Sequence, residues 1–171
     1  GDGVLILTSS GGTGSLTADL CGDLGMRLPD ISKPAMDHLV NLEGLLTFGS
    51  LSNPADIRGQ GMGILEKVMP PLLADDNFSV VLICLAFSSV GPGLAQNIGS
   101  KIIEISNSTD KPIVVLWIGR KKFGALTDRI CGFDLLEKNG IPVYEKPETC
   151  LKAIQALITW TDFQKQSKKL T

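Results

Sequence analysis

Residues 4–21 read VLILTSSGGTGSLTADLC, and this stretch decides the fold. Its first four residues are apolar, which is typical of a strand buried on both faces of a sheet. The apolar run stops at small hydroxyl residues and glycines. A helical pattern begins at once, with Leu16, Leu20 and Leu24 spaced four apart. The stretch therefore predicts a strand, a tight glycine-rich turn and a helix.

The glycine-rich turn suggests an anion site. The first backbone N–H groups of a helix have no partner inside the helix and point toward the preceding turn. Small residues let an anion approach these groups, and the helix dipole favours a negative charge there by roughly 0.3–1 kcal/mol. We expect a phosphoryl group to bind at this turn, which consists of Ser10, Gly11, Gly12, Thr13 and Gly14.

Two common phosphate-binding patterns do not fit the turn. Thr17 stands where the third glycine or alanine of the dinucleotide-binding pattern should be, and no Gly-Lys-Ser/Thr follows, so the turn is not a P-loop. A plain tight turn, whose glycines only relieve steric strain, is the alternative. The anion site is favoured because parallel sheets bind ligands in the loops at the carboxyl ends of their strands.

Length and composition limit the class of protein. A chain of 171 residues that is 43% hydrophobic and 20% charged fits one globular domain with a substantial core. The net charge of −2, without a basic stripe, argues against a nucleic-acid partner. No apolar run approaches the ~20 residues of a membrane span, so we expect no membrane partner. The strand begins almost at Gly1, and we expect the chain to be a piece of a longer polypeptide.

The cysteines indicate a reducing compartment. They are far apart and form no Cys-x-x-Cys pair, at Cys21, Cys84, Cys131 and Cys150. This pattern predicts free thiols and a cytoplasmic location rather than a disulfide framework. Cys84 lies inside an apolar run and is predicted to belong to the core.

Apolar runs alternate with helical patterns along the rest of the chain. Further strands are predicted at Arg27–Pro29 on a sheet edge, and at Val80–Phe87, Ile113–Ile118 and Ile141–Tyr144. Such strands, separated by helices, indicate a parallel sheet covered on both faces. We predict an α/β, three-layer, doubly wound flavodoxin-like fold with five parallel strands in the order 2-1-3-4-5. It would occupy residues 1–162, with residues 163–171 as a polar tail or the start of a linker.

Helices are predicted between these strands. Residues 49–63 are predicted to be irregular, and the helix that carries Leu65, Val68 and Leu72 should be interrupted or kinked at Pro70 and Pro71. The remaining helices are predicted after Ser32, from Pro92 with Leu94, Ile98, Ile102 and Ile105 on its inner face, from about Ala125 to Lys138, and from Pro147.

Short motifs in a fixed order resemble a known domain. They are Thr8-x-Ser10-Gly11-Gly12-x-Gly14, Leu16-x-Ala18-Asp19, Leu24-Gly25-Met26-x-Leu28-Pro29, Asn53-Pro54-x-Asp56 and Gly140-Ile141-Pro142-Val143-Tyr144. The set is similar to the flavodoxin-like, succinyl-CoA-synthetase-like domain of NDP-forming (ADP-forming) acyl-CoA synthetases. Specifically, it resembles the domain equivalent to the carboxy-terminal domain of the succinyl-CoA synthetase beta subunit. The resemblance runs from about Val4 to about Trp160.

The resemblance implies a function for the turn. In that family a carboxylic acid, CoA and ATP give acyl-CoA, ADP and phosphate through a phosphorylated histidine on a sister domain. The helix after the glycine turn would direct its amino end at that phosphoryl group, so the residues from Ser10 to Gly14 would face phosphate. The Asn53, Pro54 and Asp56 loop would lie near the same end of the sheet. Ser9 departs from the family, which commonly has asparagine there.

The resemblance also implies cofactors and partners. The full enzyme would need ATP, Mg and CoA, whereas this domain alone would bind none of them, would supply no catalytic residue or metal ligand, and would be inactive. Its partners would be the phosphohistidine domain and the ATP-grasp domain. No Lys or Arg lies between Thr8 and Leu16. Half a unit charge from the helix dipole cannot balance a phosphoryl group, so another domain or a metal must supply positive charge.

Several other residues have a purely structural interpretation, and some of them also have a functional one. His38 has no Ser-His-Thr-Gly-type surroundings and is predicted to be a surface histidine. Asp56 could belong to a nucleotide or metal shell, or could only close a turn. Trp117 is predicted to lie in the core. Donors to the site could also come from Ser88, Ser89 and the backbone near Gly91, and a basic loop of Arg120, Lys121 and Lys122 is either solvated or near the ligand edge.

Two other functions remain open. A flavin- or nucleotide-binding module of flavodoxin type could use the same turn for a ligand phosphate, although Tyr144 and two tryptophans are poorly placed to sandwich a flavin. A regulatory or docking domain of a protein acyltransferase homologue would use the turn as a contact surface instead.

Overall fold

The strand order is that of a doubly wound sheet. The computed structural model describes residues 2–45, 51–87, 92–119 and 132–168. Its five strands are parallel and follow the order β2-β1-β3-β4-β5, which confirms the predicted fold class and order. The strands are β1 (Val4–Thr8), β2 (Ala55–Asp56), β3 (Val80–Phe87), β4 (Ile113–Gly119) and β5 (Val143–Tyr144). The helices are α1 (Gly11–Asp23), α2 (Lys33–Val40), α3 (Arg58–Gly63), α4 (Leu65–Leu73), α5 (Pro92–Ser106), α6 (Gly132–Lys138) and α7 (Pro147–Lys168).

The sheet is buried on both faces because successive side chains of a strand point in opposite directions. On one face, Leu5, Leu7 and Val81 pack in a cluster with residues of α2 to α6. On the other face, Val4 and Ile6 pack in a second cluster with residues of α1 and α7. Trp117 is 1% exposed and lies in the first cluster, so its predicted place in the core is confirmed.

The second strand was predicted wrongly. β2 is the two-residue segment Ala55–Asp56, not Arg27–Pro29. The side chain of Asn53 explains the difference, because it bonds the edge of β1 in place of a strand backbone. Its Oδ1 accepts the N–H of Ile6 (2.9 Å), and its Nδ2 donates to the carbonyl oxygens of Val4 (2.7 Å) and Pro29 (2.9 Å). The segment near Pro29 is therefore tied to the sheet through an amide side chain and one backbone bond, from the N–H of Val4 to the carbonyl oxygen of Arg27 (2.9 Å).

The first helix forms as predicted but buries a different face. Its buried residues are Gly14, Thr17 and Cys21, whereas Leu16 is 53% exposed and Leu20 only partly buried. The reason is the close approach of α1 to β1: a Cβ on Gly14 would stand 2.9 Å from Cγ2 of Thr8. Small residues on that side let the helix lie directly on the strand.

The other helices differ from the predictions in detail. α3 occupies part of the segment predicted to be irregular, and α4 continues through Pro70 and Pro71 without interruption. In α5 Ala95 is buried and Leu94 is 49% exposed, so Leu94 does not belong to the inner face. α6 ends at Lys138 as predicted, and Gly140 follows with a φ of 75°. The predicted start of this helix near Ala125 lies outside the described residues, and α7 continues through residues 163–168.

Candidate functional site

The glycine turn lies at the carboxyl edge of the sheet, between β1 and α1. Parallel pairing of β1 with β2 and β3 aligns Thr8 with Asp56 on one side and with Cys84 on the other. The register therefore brings the turn and the Asn53–Asp56 loop together at one end of the sheet, as the family resemblance implied. Pro54 shares this neighbourhood, because its Cβ is 3.4 Å from the position of a Cβ on Gly14. The Asn53–Pro54 peptide bond is cis.

Thr8 shapes the turn from its buried position. Its Oγ1 donates to the carbonyl oxygen of Ser10 (2.9 Å) and accepts the N–H of Ser10 (3.0 Å). The hydroxyl of Ser9 accepts the N–H of Ala86 at the end of β3 (3.2 Å). No role was predicted for Thr8 from the sequence, although a threonine at the end of a strand and two residues before the N-cap of a helix is a common turn former.

The first amides of α1 face solvent. Ser10 is the N-cap residue, and its side chain makes no capping hydrogen bond. The first hydrogen bond into the helix runs from the N–H of Gly14 to the carbonyl oxygen of Ser10 (3.0 Å). Within the described part of the chain, the N–H groups of Gly11, Gly12 and Thr13 have no hydrogen-bond acceptor. Gly11 and Gly12 are exposed, and a Cβ on Gly12 would meet no atom within 4 Å.

Thr17 lies one turn further into the helix and is buried. Its Oγ1 donates to the carbonyl oxygen of Thr13 (2.7 Å) and lies 3.9 Å from Sγ of Cys84. This residue replaces the third glycine of the dinucleotide-binding pattern. Its hydroxyl is bonded inside the helix, so it does not point a donor at the turn.

Asp56 brings a carboxylate to the turn. Its Oδ2 is 3.1 Å from the position that a Cβ on Gly11 would take, and its Oδ1 accepts the N–H of Arg58 (3.0 Å). The side chain is half-buried. Asp56 therefore closes a local turn, which was the plainer expectation, and also adds negative charge beside the exposed amides.

Asn53 supports the fold beside the site, and Arg58 has an uncommon backbone conformation next to it. The amide of Asn53 is fully engaged with backbone groups of the fold, so it offers no free donor to a ligand. Arg58 follows Asp56 with a φ of 56°, a left-handed conformation that is uncommon for a residue with a side chain. Arg58 was not predicted to be a site residue. The signal for it was an arginine two residues after the aspartate of the Asn-Pro-x-Asp motif.

Several predicted residues cannot be placed. Ser88, Ser89 and Gly91, and the basic loop of Arg120, Lys121 and Lys122, lie outside the described residues. His38 is exposed in the last turn of α2, so its predicted position on the surface is confirmed. In the described ranges no group of three or more His, Cys, Asp or Glu residues could hold a metal ion.

The cysteines of the described ranges are buried free thiols. Cys21, Cys84 and Cys150 pack in the cluster between the sheet and the helices α1 and α7. Burial raises the pKa of Cys21 to about 11 and the pKa values of Cys84 and Cys150 to about 12. These thiols are protonated at neutral pH and are not nucleophiles. None of the helices in the described ranges is both long and apolar enough for a membrane span.

Three curated relatives match this chain, and each is an ADP-forming acetate–CoA ligase or the alpha subunit of one. No protein-family model matches the chain. The alpha subunit of ADP-forming acetate–CoA ligase II from Pyrococcus furiosus is 31% identical over 163 residues, which cover 92% of this chain and 34% of the relative. The alpha subunit of ligase I from the same organism is 27% identical, over 99% of this chain and 35% of the relative. The ADP-forming acetate–CoA ligase of Methanocaldococcus jannaschii is 31% identical, over 91% of this chain and 21% of the relative.

Two solved structures share the fold of this chain. The crystal structure of a Pyrococcus horikoshii protein matches with a TM-score of 0.73 at 28% identity, covering 92% of this chain and 35% of that chain. The apo form of a dinucleotide-forming acetyl-coenzyme A synthetase from Candidatus Korarchaeum cryptofilum has a TM-score of 0.75 at 20% identity, covering 95% of this chain and 34% of that chain. The second match shows the shared fold alone. The chain spans about a third of the length of the first two curated relatives.

Proposed function

We propose that this chain is a domain of an ADP-forming acetate–CoA ligase, because it is homologous to about a third of the length of the alpha subunits of two such ligases. The full enzyme would convert an acid, CoA and ATP into acyl-CoA, ADP and phosphate, with Mg as the companion of ATP. This chain would contribute the amino end of α1, which would stabilise a phosphohistidine intermediate carried by a sister domain. It would supply no catalytic side chain, and alone it would be inactive.

The exposed amides at the start of α1 carry this proposal. Three N–H groups, those of Gly11, Gly12 and Thr13, lack acceptors among the described residues, and Gly12 faces open space. The two glycines place no side chain between these groups and an incoming phosphoryl oxygen. Backbone donors of this kind, together with the helix dipole, favour an anion without a charged side chain.

Charge balance supports a shared site. The dipole supplies about half a unit of positive charge, and a phosphoryl group carries close to two negative charges. The carboxylate of Asp56 adds a further negative charge beside Gly11. A cation must therefore arrive with the phosphoryl group, either as a metal ion or as a basic group of the sister domain or the ATP-grasp domain.

The alternative of a flavin-binding module has little support in the described residues. Tyr144 packs against the core cluster next to α7, Trp117 is buried, and Trp160 lies on the outer part of α7. A purified protein without flavin absorbance would dismiss this alternative.

A docking domain of an acyltransferase homologue would use the same turn, and it differs from a ligase domain in having no turnover.

The experiment places a carboxylate where the phosphoryl group would bind. We expect Gly12→Asp to abolish acyl-CoA synthesis in the assembled ligase, because the new charge would repel the phosphoryl group. The fold should survive, since Gly12 faces open space. Gly22→Asp is the matched control: Gly22 is exposed, lies in the last turn of the same helix, and also faces open space. Normal turnover in Gly12→Asp, or equal losses in both variants, would contradict the proposal.

A further inference from the structure

The outer face of α7 carries a stripe whose aromatic residues lie outside both core clusters, although the Nε2 of Gln155 at its border donates to the carbonyl oxygen of Leu24 (2.8 Å). The inner face of this helix buries Cys150, Leu151 and Ile154 against the sheet. The outer stripe consists of residues spaced three and four apart, which share one side of a helix: Lys152, Gln155, Ala156, Thr159, Trp160 and Phe163. No residue of α7 from Thr159 to Lys168 is buried.

Two aromatic side chains dominate the outer stripe. Trp160 is 58% exposed and Phe163 is 59% exposed, and their rings stack with centroids 5.9 Å apart at an interplanar angle of 28°. A preformed aromatic pair costs little conformational entropy when it is covered, and exposed aromatic clusters of this kind mark interaction surfaces.

We propose that the outer stripe pairs with the same stripe of a second copy of this chain, as two antiparallel α7 helices related by a twofold axis. An isologous contact of this kind must be complementary to itself. The stripe meets this condition when the axis passes between positions 157 and 158. Positions whose numbers sum to about 315 then lie opposite each other.

In this register large side chains meet small or complementary ones. Trp160 lies opposite the partner's Gln155 and one position from the partner's Ala156, whose small side chain leaves room for the indole ring. Phe163 lies opposite the partner's Lys152, so that the lysine stem covers the ring and its ammonium group lies over the aromatic face. A residue and its opposite exchange roles across the axis, so each contact occurs twice.

The charges of the stripe agree with the same register. Asp162 is at the border of the stripe, one position before Phe163, and it lies close to the partner's Lys152. Among the described residues the basic group next to Asp162 is Lys165, at a long distance of 3.9 Å, and Lys152 is exposed. A parallel pair would instead place Lys152 beside the partner's Lys152. Charge complementarity therefore favours a second copy in the antiparallel orientation.

The test measures self-association of the 171-residue chain by sedimentation equilibrium. We expect a reversible dimer with Kd on the order of tens of µM, because a single helix pair is smaller than a standard interface. Trp160→Glu should weaken the dimer at least about tenfold. Leu16→Glu is the control, since Leu16 is 53% exposed on a different helix, and it should leave the Kd unchanged.

A charge exchange separates this pairing from unspecific association. Lys152→Glu and Asp162→Lys should each weaken the dimer by roughly tenfold, and the double variant should recover most of the affinity. Circular dichroism would verify that each variant is folded. A chain that stays monomeric up to about 1 mM, or a dimer that is insensitive to Trp160→Glu, would overturn the proposal. A double variant no tighter than the single ones would also overturn the antiparallel register.

Discussion

The carboxylate of Asp56 lies against the first residue of α1, with Oδ2 3.1 Å from the position that a Cβ on Gly11 would take. The parallel register of β1 and β2, which aligns Thr8 with Asp56, produces this contact. The N–H of Arg58 fixes the carboxylate by donating to its other oxygen. An acidic group thus stands beside the amides at which we propose that an anion binds, and it weakens that binding.

Removing this charge should strengthen anion binding. We expect Asp56→Asn to raise the affinity of the chain for inorganic phosphate by between about fivefold and thirtyfold, because the Coulomb repulsion between this carboxylate and a phosphate at the neighbouring amides is on the order of 1–2 kcal/mol in a partly solvated site. The affinity is measured from the amide chemical shifts of α1. Asp19→Asn, at an exposed position of the same helix, is the control and should change the affinity little. Equal effects of the two substitutions would mean that Asp56 has no special place at the site.

The packing of α1 on β1 depends on Gly14. We expect Gly14→Ala to destabilise the fold by about 1–3 kcal/mol, because the new methyl group would stand 2.9 Å from Cγ2 of the buried Thr8. Gly12→Ala is the matched substitution in the same helix without a contact, and it should leave stability unchanged or raise it by up to about 1 kcal/mol. Urea unfolding measures both. A Gly14→Ala variant as stable as Gly12→Ala would show that the helix can move away from the strand.

Asn53 contributes to the fold through its amide. We expect Asn53→Ala to lower the free energy of unfolding by about 2–4 kcal/mol, since the N–H of Ile6 and two carbonyl oxygens would lose their partner. Asn41 is the control: its exposed amide makes one bond, to the carbonyl oxygen of Asp37, and Asn41→Ala should cost less than about 0.5 kcal/mol. Similar losses for the two variants, measured by chemical denaturation, would contradict the bridging role of Asn53.

The buried thiols predict a pH dependence. Burial raises the pKa of Cys84 to about 12 and that of Cys21 to about 11, whereas the pKa in the unfolded chain is near 8.5. The folded state therefore holds these protons more tightly. The corresponding stability is fully present below pH about 8.5 and is lost as the pH rises toward about 11 or 12.

Alkylation followed by peptide mass analysis tests whether these thiols are protonated and buried in the native chain. At pH 8, iodoacetamide should label Cys21, Cys84 and Cys150 only after unfolding, because the native thiols are protonated and buried. Rapid labelling of any of the three in the native chain would show that the core opens more readily than this packing implies.

Much of the architecture could be predicted because the central strands are continuous apolar runs. β3 and β4 are bounded by polar or glycine-containing segments, and their pattern leaves little choice of structure. β2 could not be predicted in the same way, since it has only two residues and Asn53 forms the rest of the edge. Hydrogen bonds between a side chain and a distant backbone leave no periodic signal in a sequence.

The candidate site could also be predicted only in part from the sequence. The position of the turn at Gly11 and Gly12 follows from the order of strand and helix, and its closeness to Asp56 follows from parallel pairing. The direction of the Asp56 carboxylate depends on the backbone at Arg58, which is left-handed although the residue is not a glycine. This conformation could not be predicted from the residue type. The exposure of Leu16 depends on the contact of Gly14 with Thr8, which a spacing of four between leucines does not reveal.

Titration of the isotope-labelled chain with inorganic phosphate tests most directly whether the open amides at the start of α1 form an anion site. We predict saturable shifts of the amide resonances of Gly11, Gly12 and Thr13, with a Kd on the order of millimolar. Amides in the last turn of the same helix, near Gly22, should not shift. Amides at Gly11–Thr13 that stay unchanged at saturating phosphate, or that shift no more than those near Gly22, would contradict the account.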